Sequence, residues 1–190
     1  MAFTYFLPDE NGNKTEHGTT SNAVIIIGAN GSGKSKLGAW IEQQNMDQVH
    51  RIGAQRNLNF NENIPLKSYS QAEDFVLYGT DDKSSQRGKG PRWAWGKYTT
   101  KLIDDFDNVL AALIALKNND NEKFVNECKA ASTREERPDP PLTSIDKLTQ
   151  IWNIIFPQRK LRVEDAKFLA VLTRDDSEIQ YNSNQMSDGE

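Results

Sequence analysis

An α/β architecture is predicted, and three observations predict it. An unbroken apolar run, Val24 to Ile27, leads through a glycine-rich turn into a helix-compatible stretch. Such a run reads as a strand buried on both faces. Further along, Leu102, Ile103, Phe106, Val109, Leu110, Leu113 and Ile114 recur at helical spacing. Near the end, Leu161 to Val163, Phe168 to Leu172 and Ile179 to Tyr181 are short apolar runs parted by turn residues, the pattern of hairpin strands. The expected layout is a strand-rich part at 1–98, a helical insertion at 99–157, and a β-hairpin part at 158–190.

The chain has 190 residues, enough for one domain with an insertion, and its apolar fraction of 36% suffices for a core. No apolar run approaches the length of a membrane span. Met1 to Leu7 lack the basic start of a signal peptide, and Cys128 is the single cysteine. A cytoplasmic location is the default expectation, without membrane association. The net charge of -4 argues against indiscriminate nucleic-acid binding by the whole surface.

In order, Phe3 to Leu7 reads as a first strand and Asn11-Gly12-Asn13 as a turn. The aromatics there read as core, with stacking on an adenine as the alternative. The stretch Gly28 to Ser35 fits G-x-x-x-x-G-K-[ST] at every position. Between a strand and a helix, that pattern is a phosphate-binding loop. Glycines let successive N–H groups point into one concavity, at the positive end of the following helix. The candidate nucleotide-binding set is Gly28, Ala29, Asn30, Gly31, Ser32, Gly33, Lys34, Ser35 and Lys36. Lys34 is the candidate catalytic cation reaching the β- and γ-phosphates of ATP, and Ser35 the candidate Mg²⁺ ligand.

The helix continues from Lys36 to Gln44, with Leu37, Trp40 and Ile41 expected to face a sheet. Val49 to Ile52 reads as a second core strand. Between Asp81 and Tyr98, five cations interleave with three aromatics among Gly, Ser and Pro. The segment from Lys83 to Lys97 reads either as a surface loop whose tryptophans anchor it, or as a contact for phosphates and stacked bases. Thr99 to Lys117 should be a helix broken at Asn118-Asn-Asp-Asn121, followed by a second helix from Glu122 to Ala131 that carries Cys128 as a small core residue. Ser144 is the expected N-cap of a helix with apolar positions Ile145, Leu148, Ile151, Trp152 and Ile155, closed by Pro157. His17 and His50 make no ligand or base constellation.

The last residues, Met186-Ser187-Asp188-Gly189-Glu190, resemble the ABC-type signature [LM]-S-x-G-[EQ], with Asp188 where glycine is commoner. Together with Gly28 to Ser35 and Ile52-Gly-Ala-Gln55-Arg56, this order of parts resembles the N-terminal portion of an ABC/SMC-like ATPase head. More narrowly it is similar to the AAA-labelled ABC-type ATPases of bacterial anti-phage systems of the PARIS and OLD kind. The resemblance implies a P-loop NTPase fold of ABC-head type, with a β-sheet core and an inserted helical subdomain. It implies that Gln55 ends a strand, contacts Mg²⁺ or the attacking water and acts in catalysis; an ordinary polar residue at a strand end is the alternative. It implies that Ser187 and Gly189 meet the γ-phosphate of ATP held by a second copy, so that two heads sandwich the nucleotide. In that family the Walker B strand, D-loop and switch histidine follow the signature. The expectation is therefore that the C-terminal part of the head is missing from these residues. The leading function is an ATP hydrolase of a defence system, working as a dimer and possessing an effector-protein partner. Competing readings are a nucleotide-switched module that binds nucleic acid or protein, and a small P-loop kinase.

Overall fold

The computed structural model describes residues 3–53, 61–174 and 177–185, and resolves two compact units. The first comprises Met1–Gln55 with Leu77–Ile103, the second Arg56–Val76 with Asp104–Glu190. The protein mixes α and β structure, and among the described residues there are two sheets, of two and three strands, both antiparallel. No helix among the described residues is long and apolar enough to cross a membrane.

The first unit opens on a hairpin of β1 (Phe3–Pro8) and β2 (Lys14–Thr19), paired from Phe3↔Thr19 to Pro8↔Lys14. Its turn falls on Asn11-Gly12-Asn13, as the sequence predicts. The Asp9 carboxylate closes it, accepting from the Asn11 and Asn13 amides at 2.8 and 2.7 Å. Those bonds, led by the Asn13 amide, hold the Asp9 carboxyl below its ordinary value. Across the ladder the Tyr5 ring stacks on the His17 ring with centroids 5.5 Å apart.

The run Val24 to Ile27, expected as a buried strand, is neither. It is irregular chain, with Ile25 82% and Ile27 91% exposed. A strand is defined by neighbours that take its backbone N–H and C=O groups. No strand among the described residues lies beside this run. The expected core strand at Val49 to Ile52 is likewise irregular, with Ile52 exposed. Helix α1 (Lys34–Gln44) forms as predicted, but the face it buries is Ala39 and Glu42, while Leu37, Trp40 and Ile41 are half-buried.

Helix α2 (Tyr69–Tyr78) belongs to the second unit as far as Val76, and its last two residues, Leu77 and Tyr78, belong to the first. Next comes α3 (Phe106–Ala130), one continuous helix where two were expected. Leu102 and Ile103 precede it, and Asn118 to Asn121 lie inside it. Asn and Asp cost only about 0.5–0.7 kcal/mol each against alanine in a helix interior, far less than proline, and a 25-residue helix absorbs that. Cys128 is half-buried.

Helix α4 (Ser144–Ile155) is capped one residue earlier than predicted. Thr143, not Ser144, is the N-cap, and with Asp146 it forms a reciprocal capping box. The Ser144 hydroxyl instead donates to the Leu113 carbonyl of α3 at 3.0 Å. Ile145 is buried, with Leu148 and Trp152 packed against the core, whereas Ile151 and Ile155 are exposed. The helix ends ahead of Pro157, as expected.

The terminal runs form a meander of β3 (Arg159–Glu164), β4 (Lys167–Arg174) and β5 (Ser177–Asn182). The β3–β4 turn is two residues, Asp165 and Ala166, both at positive φ (49° and 59°), the backbone twist that suits a tight hairpin. Leu161 and Phe168 of the meander share one core with Leu110, Ala111 and Ile145 of the helices and with Ile64 and Ala72. The Trp152 indole N–H donates to the Arg159 carbonyl at 2.7 Å and ties α4 to β3.

Candidate phosphate-binding site

The glycine-rich loop lies in the first unit and is exposed throughout Gly28 to Lys36. Gly31 and Gly33 stand at φ +83° and +86°, the left-handed region where a side chain is strained. The second of these is the N-cap of α1, so the helix starts on a residue without a capping side chain. Its first turn carries no acidic residue. The leading N–H groups of a helix have no partner within it. At this end they meet no carboxylate of their own turn, so the positive end of the helix is left open to an anion.

A turn within the loop is held by the Ser32 amide, which donates to the Ala29 carbonyl at 3.2 Å. The Leu37 amide donates to Gly33 at 2.9 Å and starts the helical ladder. A Cβ added to Gly28 would sit 2.6 Å from the Ser32 hydroxyl oxygen, so a side chain there would displace Ser32. Lys34 bends back over the loop, and its ammonium donates to the carbonyls of Gly28 and Ala29, both at 2.7 Å. That posture keeps the ammonium on the loop's own carbonyls. The site is locally cationic: Lys34 and Lys36 fall in a stretch with no Asp or Glu between Glu16 and Glu42.

Ser35 occupies the second position of α1 and is exposed beside Lys34. Among the described residues no three His, Cys, Asp or Glu side chains gather as metal ligands. Gln55, Ser187 and Gly189 lie outside the described residues, as do Arg56 and Asp188. Of the predicted set, then, the structure brings together Gly28 to Lys36.

Sequence reasoning missed a charged cluster at the far end of α1. Glu42 is fully buried, and its carboxylate meets the Arg51 guanidinium at 3.2 Å and the Lys89 ammonium at 3.3 Å. Lys89 also donates to the Val49 carbonyl, and Arg51 to the Tyr98 carbonyl. The Arg51 guanidinium lies 4.0 Å from the Trp93 ring centroid, a cation–π contact. Burial pulls the Lys89 ammonium below the ordinary lysine value, and Glu42 opposes that pull. Hence α1 presents its N-terminus to solvent while its C-terminal turn is fastened to the segment after Lys83. Nothing local in the sequence signals this, since Glu42 alone reads as a residue of the solvent face.

Compared with known protein families, with characterised proteins and with solved structures, the chain matches none.

Proposed function

We propose that the loop from Gly28 to Ser35 binds the phosphates of ATP, and that the chain is the nucleotide-binding N-terminal portion of an ABC-type ATPase head. The observation that supports this reading is the posture of Lys34 over two loop carbonyls, at a helix N-terminus that has neither a capping side chain nor an acidic first turn. An ammonium held by neutral carbonyls gains by exchanging them for phosphate oxygens, because a full negative charge attracts it more strongly than a carbonyl dipole does. Magnesium-bound ATP supplies the phosphoanhydride bond to be cleaved. Lys34 would neutralise the β- and γ-phosphate oxygens, the amides of the α1 turn would hold the remaining charge, and the Ser35 hydroxyl would be a ligand for Mg²⁺. Gln55 orients the attacking water. Ser187 and Gly189 close over the γ-phosphate held by a second copy, which makes the working unit a dimer. An effector partner and a role in anti-phage defence belong to the same proposal, as does a cytoplasmic setting.

Titration of the full chain with a fluorescent ATP analogue and Mg²⁺ tests it. Saturable binding is expected, weakened more than about tenfold by Lys34→Ala, the loss that follows from removing one charged hydrogen-bonding partner. Absence of saturable binding by the parent chain at millimolar nucleotide overturns the reading. Phosphate release in the same samples separates a hydrolase from a nucleotide-switched binding module.

A further inference from the structure

From Lys83 to Lys101 the chain holds six Lys or Arg and no Asp or Glu, in a protein whose net charge is -4. The first unit sorts these cations into two sets. Lys89 is buried against Glu42 and Arg92 is buried with its guanidinium on the Arg51 carbonyl, while Lys83, Arg87, Lys97 and Lys101 are exposed. It sorts the tryptophans in the same way. Trp93 is 1% exposed and anchors the segment under Arg51, whereas Trp95, two residues on, is 74% exposed.

Trp95 is held out by the backbone rather than left loose. Lys89, Ala94 and Trp95 all stand at positive φ (51°, 46° and 55°), a conformation that costs free energy for residues with side chains. The Trp95 amide donates back to the Gly90 carbonyl at 2.8 Å. Its six-membered ring rests on Gly90: a Cβ there would lie 2.6 Å from both Cε3 and Cζ3. Glycine at position 90 is therefore what lets the indole lie down on the backbone. The next turn fixes the neighbouring cations, with the Lys97 amide bonded to Trp93 at 2.8 Å and the Lys101 amide bonded to Lys97 at 3.0 Å.

We propose that Trp95, with the exposed cations Arg87, Lys97 and Lys101 near it in sequence, is a stacking site for single-stranded nucleic acid. A polyanion matches the exposed cations of this stretch, and flat unsaturated faces are what cover an indole. Single strands offer both, since their bases are free to stack and their phosphates run alongside. A duplex offers the charge but keeps its faces inside. This site is separate from the phosphate-binding loop and does not depend on it.

The test uses the full chain without nucleotide, a fluorescein-labelled single-stranded thymidine 20-mer, and anisotropy at low salt. The parent chain is expected to bind the strand more tightly than a duplex of equal length, with quenching of its tryptophan emission. Trp95→Ala should weaken binding about tenfold, the size of one lost base–aromatic stack. Trp95→Phe keeps a ring over Gly90; it should retain most of the affinity and lose the quenching. Lys97→Gln should flatten the dependence of log affinity on log salt by about 0.7. The proposal is overturned if the parent does not bind the strand, if the duplex binds equally well, or if Trp95→Ala binds as tightly as the parent. Should Trp95→Ala lose its cooperative melt, the Phe variant decides: unchanged quenching places the strand elsewhere, and lost quenching with retained affinity places it on Trp95.

Discussion

Two apolar runs of the same length and similar chemistry meet opposite fates in this molecule. Val24 to Ile27 is irregular chain with its isoleucines in solvent; Leu169 to Leu172 is the middle of β4, with Ala170 and Val171 buried. The first run is the more β-prone of the two. What separates them is neighbours. β4 is paired along both edges, to β3 and to β5, and packs against a core that α3 and α4 supply. The run at 24–27 has no paired strand among the described residues. A row of apolar β-branched residues is thus a strand only when something takes its hydrogen bonds and covers its faces. The interiors around the two runs differ as well. The second unit is built on Ile64, Leu110, Ile145, Leu161 and Phe168, while the first buries Glu42, Lys89 and Arg92 around Trp93.

The largest effect expected from this contrast comes from Phe168→Ala in β4, which should cost about 3–5 kcal/mol in urea unfolding, the usual range for deleting a buried aromatic. The paired change Ile25→Ser with Ile27→Ser should leave that stability within about 0.5 kcal/mol, as exposed substitutions do. It should also reduce self-association in sedimentation velocity, since an uncovered apolar run is a surface for other chains. Equal destabilisation by the two variants would break the comparison.

The contrast between interiors is sharpened by Glu42→Gln. With the carboxylate gone, Lys89 is left buried opposite a neutral amide, and a loss of about 3–5 kcal/mol is expected. The melting temperature of this variant should rise with pH over the alkaline range more steeply than that of the parent. The sign follows because an ammonium whose folded value is depressed binds fewer protons folded than unfolded, so stability climbs as pH passes through that window. A variant that melts like the parent would mean the buried charges do not hold the first unit.

The smallest effects lie at the cap of α4. Thr143→Ala should cost about 1 kcal/mol. The Thr143 hydroxyl and amide hold the Asp146 carboxyl below its ordinary value, so its contribution is present above pH 3.8 and fades as acid carries it through the lower folded value. Asp146→Asn should therefore flatten the acid limb of a melting-temperature profile, and an unchanged limb would remove Asp146 as its source.

Much of the secondary structure was legible because its causes are local. The β1–β2 turn, the start of α1, the stop before Pro157 and the meander follow from glycine, proline and alternation within a few residues. The misreadings share a cause of the opposite kind. Thr143 and Ser144 are both good caps by type, and the choice between them turns on the Leu113 carbonyl, which waits for the second hydroxyl. The cationic segment carries three aromatics that look alike in sequence, yet Trp93 is buried and Trp95 exposed, a division made by the backbone turn over Gly90.

The conformation of the glycine-rich loop follows from residue type, because left-handed backbone at Gly31 and Gly33 and an ammonium six residues after Gly28 need no distant partner. Burial was decided by the tertiary structure alone. Whether Ile25 or Val171 is inside, and whether Glu42 is a surface charge or the centre of a cluster, depends on chain brought from far along the sequence. A conformational preference belongs to a few adjacent bonds, whereas exclusion of water belongs to whatever else arrives.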